Sequence, residues 1–133
     1  MRRARERALQ AGVSVEFAVA DVLEDRGKLP RADVVFERGV LHTFNDQEGR
    51  LAFAGAVADL LDPDGLWLDV SGSADTPDEA DVASSNGWPR LTVASIVAAA
   101  EPLSEVLCVR RSAYGETPGR TDFLAFASVL RRR

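Results

Sequence analysis

Apolar residues recur along this chain with two alternating periods, and the order of those periods predicts an α/β fold. Arg2 to Ala11 carries Ala4, Ala8 and Ala11 near one helical face among arginines, and Gly12 stops the helix. Val13 to Ala20 (VSVEFAVA) alternates and then runs continuously apolar to Asp21, as a strand entering a sheet does. Beyond a polar connection through Gly27 and Pro30, Asp33 to Phe36 makes a second, short strand. Asn45 and Glu48 have the spacing of a capping box and open a helix that continues through Leu61. Leu51, Ala54, Ala58 and Leu61 form its apolar stripe, with Val57 beside them. Asp62-Pro63-Asp64-Gly65 is a turn in which proline blocks continuation and glycine permits positive φ. Leu66 to Val70, apolar except for Asp69, has the pattern of a strand covered on both faces. Asp69 needs a partner if it is buried.

Ser71 to Arg90 is a long polar segment, acidic at Asp75, Asp78, Glu79 and Asp81. A loop of that length is usually functional or disordered. Thr92 caps a helix through Ala100, with Ile96, Val97 and Ala100 inward and Pro102 as its stop. Glu105–Arg111 and Thr121–Leu130 are two further strands, joined by a link with Gly115, Pro118 and Gly119 and no helical period. Such a link implies antiparallel pairing. The expected order is therefore α-β-β-α-β-α-β-β: one α/β domain over residues 1–133, its sheet mostly parallel with an antiparallel C-terminal strand.

Composition narrows the partners. A chain of 133 residues, 46% hydrophobic and 28% charged, can bury a core as an ordinary globular domain. Sixteen basic against 21 acidic residues leave a net charge of −5, which argues against a nucleic-acid partner. The basic residues at the two ends (Arg2, Arg3, Arg5 and Arg7, then Arg131 to Arg133) read as solvated termini. The single cysteine, Cys108, lies in an apolar run and reads as a small buried hydrophobe. With one cysteine and one histidine, no metal site is expected. The charged amino terminus is no signal peptide, and no stretch reaches the roughly 20 apolar residues of a membrane span. A cytoplasmic protein without a membrane partner is the expectation.

The strings themselves resemble a known family. GVSVEFAVADV is similar to the third strand of class I S-adenosylmethionine-dependent methyltransferases, and DVVFERGVLH to the fourth strand and its following loop. LLDPDGLWLDV resembles their leucine-x-proline-glycine-glycine turn and fifth strand, with Asp64 in place of the first glycine. WPRLTVASIVAAAEPLSEVLCVRR is similar to the late helix and sixth strand of small-molecule members, and the closing reversed hairpin is the family's topological hallmark. The resemblance implies a three-layer Rossmann-like sheet, S-adenosylmethionine as cofactor and a small-molecule methyl acceptor.

It also implies roles for particular residues. Asp21 takes the position whose carboxylate accepts from the adenine amino group, and Val22 the position whose backbone amide meets an adenine nitrogen. The alternative for Asp21 is a strand terminator. Glu37, Arg38 and Gly39 fall at the exit of the fourth strand, below the cofactor's methionine part; Glu37 could instead be a buried partner of Arg38. His42, just past that strand, is a candidate general base near neutral pH, or a packing and capping residue. Trp88 and the acidic segment before it fall where such enzymes hold a substrate lid, or Trp88 pins that segment to the domain.

The family's first two strands have no counterpart here. No two of the ten glycines are separated by one residue, so the glycine-x-glycine-x-glycine loop that approaches the cofactor is missing. No acidic strand end precedes the first helix to hold the ribose hydroxyls. Hydrogen bonds to charged groups contribute roughly 1.5–3 kcal/mol each, so losing two or three removes about 3–9 kcal/mol. Micromolar binding amounts to about 8 kcal/mol. The expectation is an N-terminally truncated domain that binds its cofactor weakly or not at all when alone. The alternatives are a non-catalytic remnant serving as an interaction module and a generic doubly wound domain of another function. Val15–Val19 should either pair with Val34–Phe36 or stand at an exposed edge, and exposed edges permit self-association.

Overall fold

The computed structural model describes residues 1–74, 90–114 and 124–133. Its elements are α1 (Arg2–Gln10), β1 (Ala32–Arg38), a 3-10 turn (Leu41–Thr43), α2 (Gln47–Leu60), β2 (Leu61–Gly72), α3 (Val93–Ala100), β3 (Ser104–Ala113) and β4 (Leu124–Arg132). The strands form one sheet in the order β1-β2-β4-β3. β1 and β2 are parallel, and β4 runs antiparallel to both β2 and β3. The link from Ala113 to Leu124 is shorter than the roughly dozen residues of a parallel crossover, so β4 must return beside β3. The mostly parallel α/β sheet with a reversed last strand, expected from the sequence, is the sheet that forms.

The core lies on one face, under α2 and α3. Phe53, Ala54 and Val57 of α2 and Ile96, Ala99 and Ala100 of α3 meet Leu61 and Trp67 of β2 and Phe126 and Leu130 of β4. Burial along β2 alternates from Gly65 onward, leaving Leu66, Leu68 and Val70 half-buried instead of covered on both faces. On β1, Val34 and Phe36 are 48% and 62% exposed. No residue of α1 is buried.

The expected strand at Val13–Ala20 does not form. It belongs to no ladder, it does not pair with Val34–Phe36, and Val13, Val15 and Val19 are exposed. Alternation gives a segment the capacity for a strand, but ladder hydrogen bonds need a neighbour, and an unpaired strand is not stable in water. Gly12 does stop α1: its φ is 65°, and Val13 N–H returns to Ala8 O at 3.1 Å.

Local chemistry moved other boundaries. Asp46, not Asn45, caps α2, its carboxylate accepting from Gly49 N–H at 2.7 Å, so Glu48 falls one position short of a capping box. The stripe rotates with it: Phe53 and Ala56 go inward and Leu51 stays exposed. Thr92 caps α3 as expected, accepting from Ser95 N–H at 3.1 Å, and Ala99 takes the buried place expected of Val97. Asp62–Gly65 forms a bulge inside β2, since Ala32 lies opposite Leu61 and Val34 opposite Leu66. Positive φ there belongs to Asp64 (62°), not Gly65. Ser71 and Gly72, read as polar loop, complete β2, and Ser73 bridges Leu91 in parallel.

The C-terminal arginines are not merely solvated. Arg131 pairs with Glu105, Arg132 donates to Leu61 O, and Arg133 donates to Glu101 O at 2.8 Å. They tie β4 to its surroundings, whereas the N-terminal group offers only the exposed Arg2–Glu6 pair at 3.2 Å. Cys108 is a half-buried free thiol. Among the described residues no helix is long and apolar enough to cross a membrane, and no cluster of three ligand-type side chains could hold a metal ion.

Candidate ligand-binding site

The C-terminal ends of β1 and β2 lie side by side and carry a buried polar cluster. Ligands of open α/β sheets bind beyond such strand ends. Gly39 follows β1 with φ 87°, a conformation that favours glycine, and its N–H donates to Val70 O at 2.9 Å. This bend turns the chain into the 3-10 turn, which delivers His42 under the end of β2. There His42 Nδ1 accepts from Gly72 N–H at 2.9 Å.

Tyr114, just beyond β3, closes the cluster. Its hydroxyl has two acceptors for one proton: Val70 O at 2.9 Å and His42 Nδ1 at 3.1 Å. Arg38 donates to Tyr114 O and stacks its guanidinium over the phenol ring at 4.9 Å. Arg38 is therefore a clamp across the mouth of the sheet. Glu37 points to the opposite, covered face, as neighbours on a strand must, and is not the partner of Arg38. Its Oε2 accepts from Val40 N–H at 2.8 Å, and Asp69 is its register partner on β2. Asp69 Oδ1 accepts from the Ser71 hydroxyl at 2.5 Å. The donor that Asp69 requires is thus the Ser71 hydroxyl.

Burial sets the protonation states. Glu37 is pushed up to about 9, first by loss of hydration and then by the hydrogen bond and charge of Asp69. Tyr114 is pushed up to about 12 by burial, helped by the charges of Glu37 and Asp69 against that of Arg38. Burial lowers His42 below the ordinary imidazole value, with the Asp69 charge opposing. A neutral imidazole accepting at Nδ1 carries its proton on Nε2. His42 thus plays the anchoring role that the sequence left open beside that of a base.

Asp21 and Val22 stand apart. Asp21 is exposed, and its Oδ1 accepts from Leu23 N–H at 2.9 Å and Glu24 N–H at 3.3 Å, capping a turn. Its other oxygen takes no bond from a described residue. Val22 is half-buried against the core. No hydrogen bond or ion pair joins these two residues to the β1–β2 cluster. Trp88 and the acidic residues Asp75, Asp78, Glu79 and Asp81 lie outside the described residues. The sequence reading missed Tyr114 and Ser71 as members of the cluster; nothing in the local pattern marks either one.

The fold defined by this sheet is that of the Rossmann-like S-adenosylmethionine-dependent methyltransferases. The chain is similar to the structure described for conversion of a disulfide bond into a thioacetal group during echinomycin biosynthesis (TM-score 0.77, 22% identity, 97% of this chain and 61% of that one). It is similar to a SAM-dependent methyltransferase from Methanosarcina mazei (TM-score 0.76, 15% identity, 98% of this chain and 76% of that one). It also resembles the N-methyltransferase NodS from Bradyrhizobium japonicum bound to S-adenosyl-L-homocysteine (TM-score 0.67, 16% identity, 99% of this chain and 63% of that one). The chain thus spans 61–76% of the length of these three. No protein-family model matches it, and no curated protein does.

Proposed function

We propose that this chain forms the C-terminal part of an S-adenosylmethionine-dependent methyltransferase domain acting on a small-molecule acceptor, weak or inactive alone. The observation that carries the reading is the likeness of this sheet, ordered β1-β2-β4-β3 with β4 reversed, to solved methyltransferases over 98–99% of the chain. The cofactor's sulfonium would supply the electrophilic methyl group for in-line attack by the acceptor. Orientation would then provide most of the acceleration.

Asp21 fits the adenine amino group, because one carboxylate oxygen is used locally and the other is exposed to a ligand. Val22 follows it and would present its backbone amide to the ring. Arg38 and Gly39 border the methionine end; Glu37 acts from beneath them, buried, by holding Val40 N–H. These 133 residues contain no glycine-x-glycine-x-glycine string, so in this reading they supply no such loop to the ribose and carboxylate. His42 enters as an anchor of the strand ends, with base chemistry reserved for Nδ1 if the Gly72 bond opens. The reading includes a cytoplasmic setting, with no nucleic-acid or membrane partner.

The open β1 edge, with Val34 and Phe36 exposed, favours a second reading: a non-catalytic module that associates through that edge, with itself or a partner. Calorimetric titration with S-adenosylhomocysteine separates the two. The chain alone should give no heat at micromolar ligand, and a version extended upstream by a glycine-rich strand-loop-helix should bind at micromolar concentration. Silence from the extended version would remove the enzyme reading.

A further inference from the structure

Glu37 and Asp69 are register partners on β1 and β2, on the covered face, and only 7% and 1% exposed. Each has one oxygen held by a donor: Val40 N–H on Glu37 and the Ser71 hydroxyl on Asp69. Their other oxygens, Oε1 and Oδ2, are buried and receive no hydrogen bond from a described residue. Their register sets the two carboxyls side by side on that face. No ion pair among the described residues neutralises either one.

Among the described residues no counter-charge meets the pair. His42 is neutral, Tyr114 donates to Val70 O, and the Arg38 guanidinium is engaged with Tyr114. β4 places Ser128 opposite Asp69, and α3 has no titratable residue. On α2, Glu48 and Asp59 are exposed and Arg50 donates to Phe44 O. Two adjacent buried carboxyls in such a setting do not both ionise.

We propose that Glu37 and Asp69 hold one proton between Oε1 and Oδ2, and that this shared proton positions the Gly39–His42 turn at the ligand end of the sheet. The proton satisfies both orphaned oxygens and leaves Glu37 Oε2 fixed as the acceptor of Val40 N–H. Removing it puts two charges on one buried face and drives the pair apart, carrying Val40 with Glu37. The pair is a positioning device: it touches the turn, not a ligand. The inference does not rest on methyl transfer and holds for the chain by itself.

The pH dependence follows in sign. The folded state raises the Glu37 value, so this group's contribution to stability is complete below the ordinary glutamate value, 4.5, and is lost as pH rises toward about 9. Carbon-detected NMR of the side-chain carboxyls, with the Val40 amide followed in parallel, tests it on the intact chain. One carboxyl of the pair should stay protonated through neutral pH, and the Val40 amide should shift along the same alkaline titration curve. Glu37→Gln substitutes an amide donor for the proton, and should flatten both the Val40 shift and the thermal midpoint across that range. Asp69→Asn should move the Glu37 titration down without returning it to the ordinary value, because the neighbouring charge is gone and the burial remains. Both wild-type carboxyls ionising in the usual acidic range, or a Glu37→Gln chain that keeps the wild-type Val40 curve, would overturn the proposal.

Discussion

Trp67→Ala is expected to cost about 3–5 kcal/mol of unfolding free energy. Trp67 lies at the centre of β2 and is 1% exposed. Its ring meets Phe53 edge-on, with centroids 5.9 Å apart and planes at 74°, and Phe53 stacks in turn on Phe44 at 5.4 Å. Truncation removes the contact on which α2 rests and leaves a cavity that flanking strand backbone cannot fill. Native domains are stable by only about 5–15 kcal/mol, so the loss consumes a large share of the total. The indole N–H is buried without an acceptor among the described residues. A buried donor left unsatisfied costs about 1–3 kcal/mol. Trp67→Phe removes that donor together with some packing, and should stay within about 1.5 kcal/mol of wild type. Urea unfolding followed by circular dichroism measures both. A Trp67→Ala loss below about 1 kcal/mol would contradict this placement of the core.

Gly65→Ala should also destabilise strongly, by about 1–3 kcal/mol, for a reason unrelated to φ. A Cβ at Gly65 would stand 2.8 Å from Asp62 O, 3.1 Å from Asp33 O and 3.1 Å from Leu61 Cδ2. Two of those atoms are backbone, so the bulge inside β2 cannot give way without disturbing the ladder to β1. The neighbouring residue supplies the control. Asp64 has φ 62°, a region that aspartate tolerates and glycine occupies freely. Asp64→Gly should therefore leave stability within about 1 kcal/mol of wild type. Thermal unfolding of the two variants reads the contrast, and equal effects would mean that the bulge is not close-packed.

This bulge shows what the sequence could and could not convey. Leu61-Asp62-Pro63-Asp64-Gly65 announced a break between helix and strand, because proline and glycine act locally. That Gly65 is required for close packing and not for positive φ rests on the approach of Asp33 O, an atom of another strand. The same division holds elsewhere. The Thr92 cap, the apolar runs of β1 to β4 and the reversal of β4 were legible, since each rests on spacing within a segment, whereas the α2 cap fell on Asp46 and not on Asn45. Val13–Ala20 misled, because alternation cannot say whether a neighbouring strand exists. Within the site, Glu37, Arg38, Gly39 and His42 were legible as a group through the strand-to-turn string. Their partners were not, because Asp69, Ser71 and Tyr114 come together only through the register of β1 on β2 and the length of β3.

Under the proposed function, Asp21–Val22 and Arg38–His42 face the cofactor, with too few contacts to hold it tightly. Amide-resolved NMR of the chain titrated with S-adenosylhomocysteine tests it most directly. Dissociation constants are expected in the millimolar range or weaker, about 4 kcal/mol or less, with shifts confined to Asp21–Val22 and Arg38–His42. Micromolar binding, or weak binding whose shifts fall away from both segments, would contradict it.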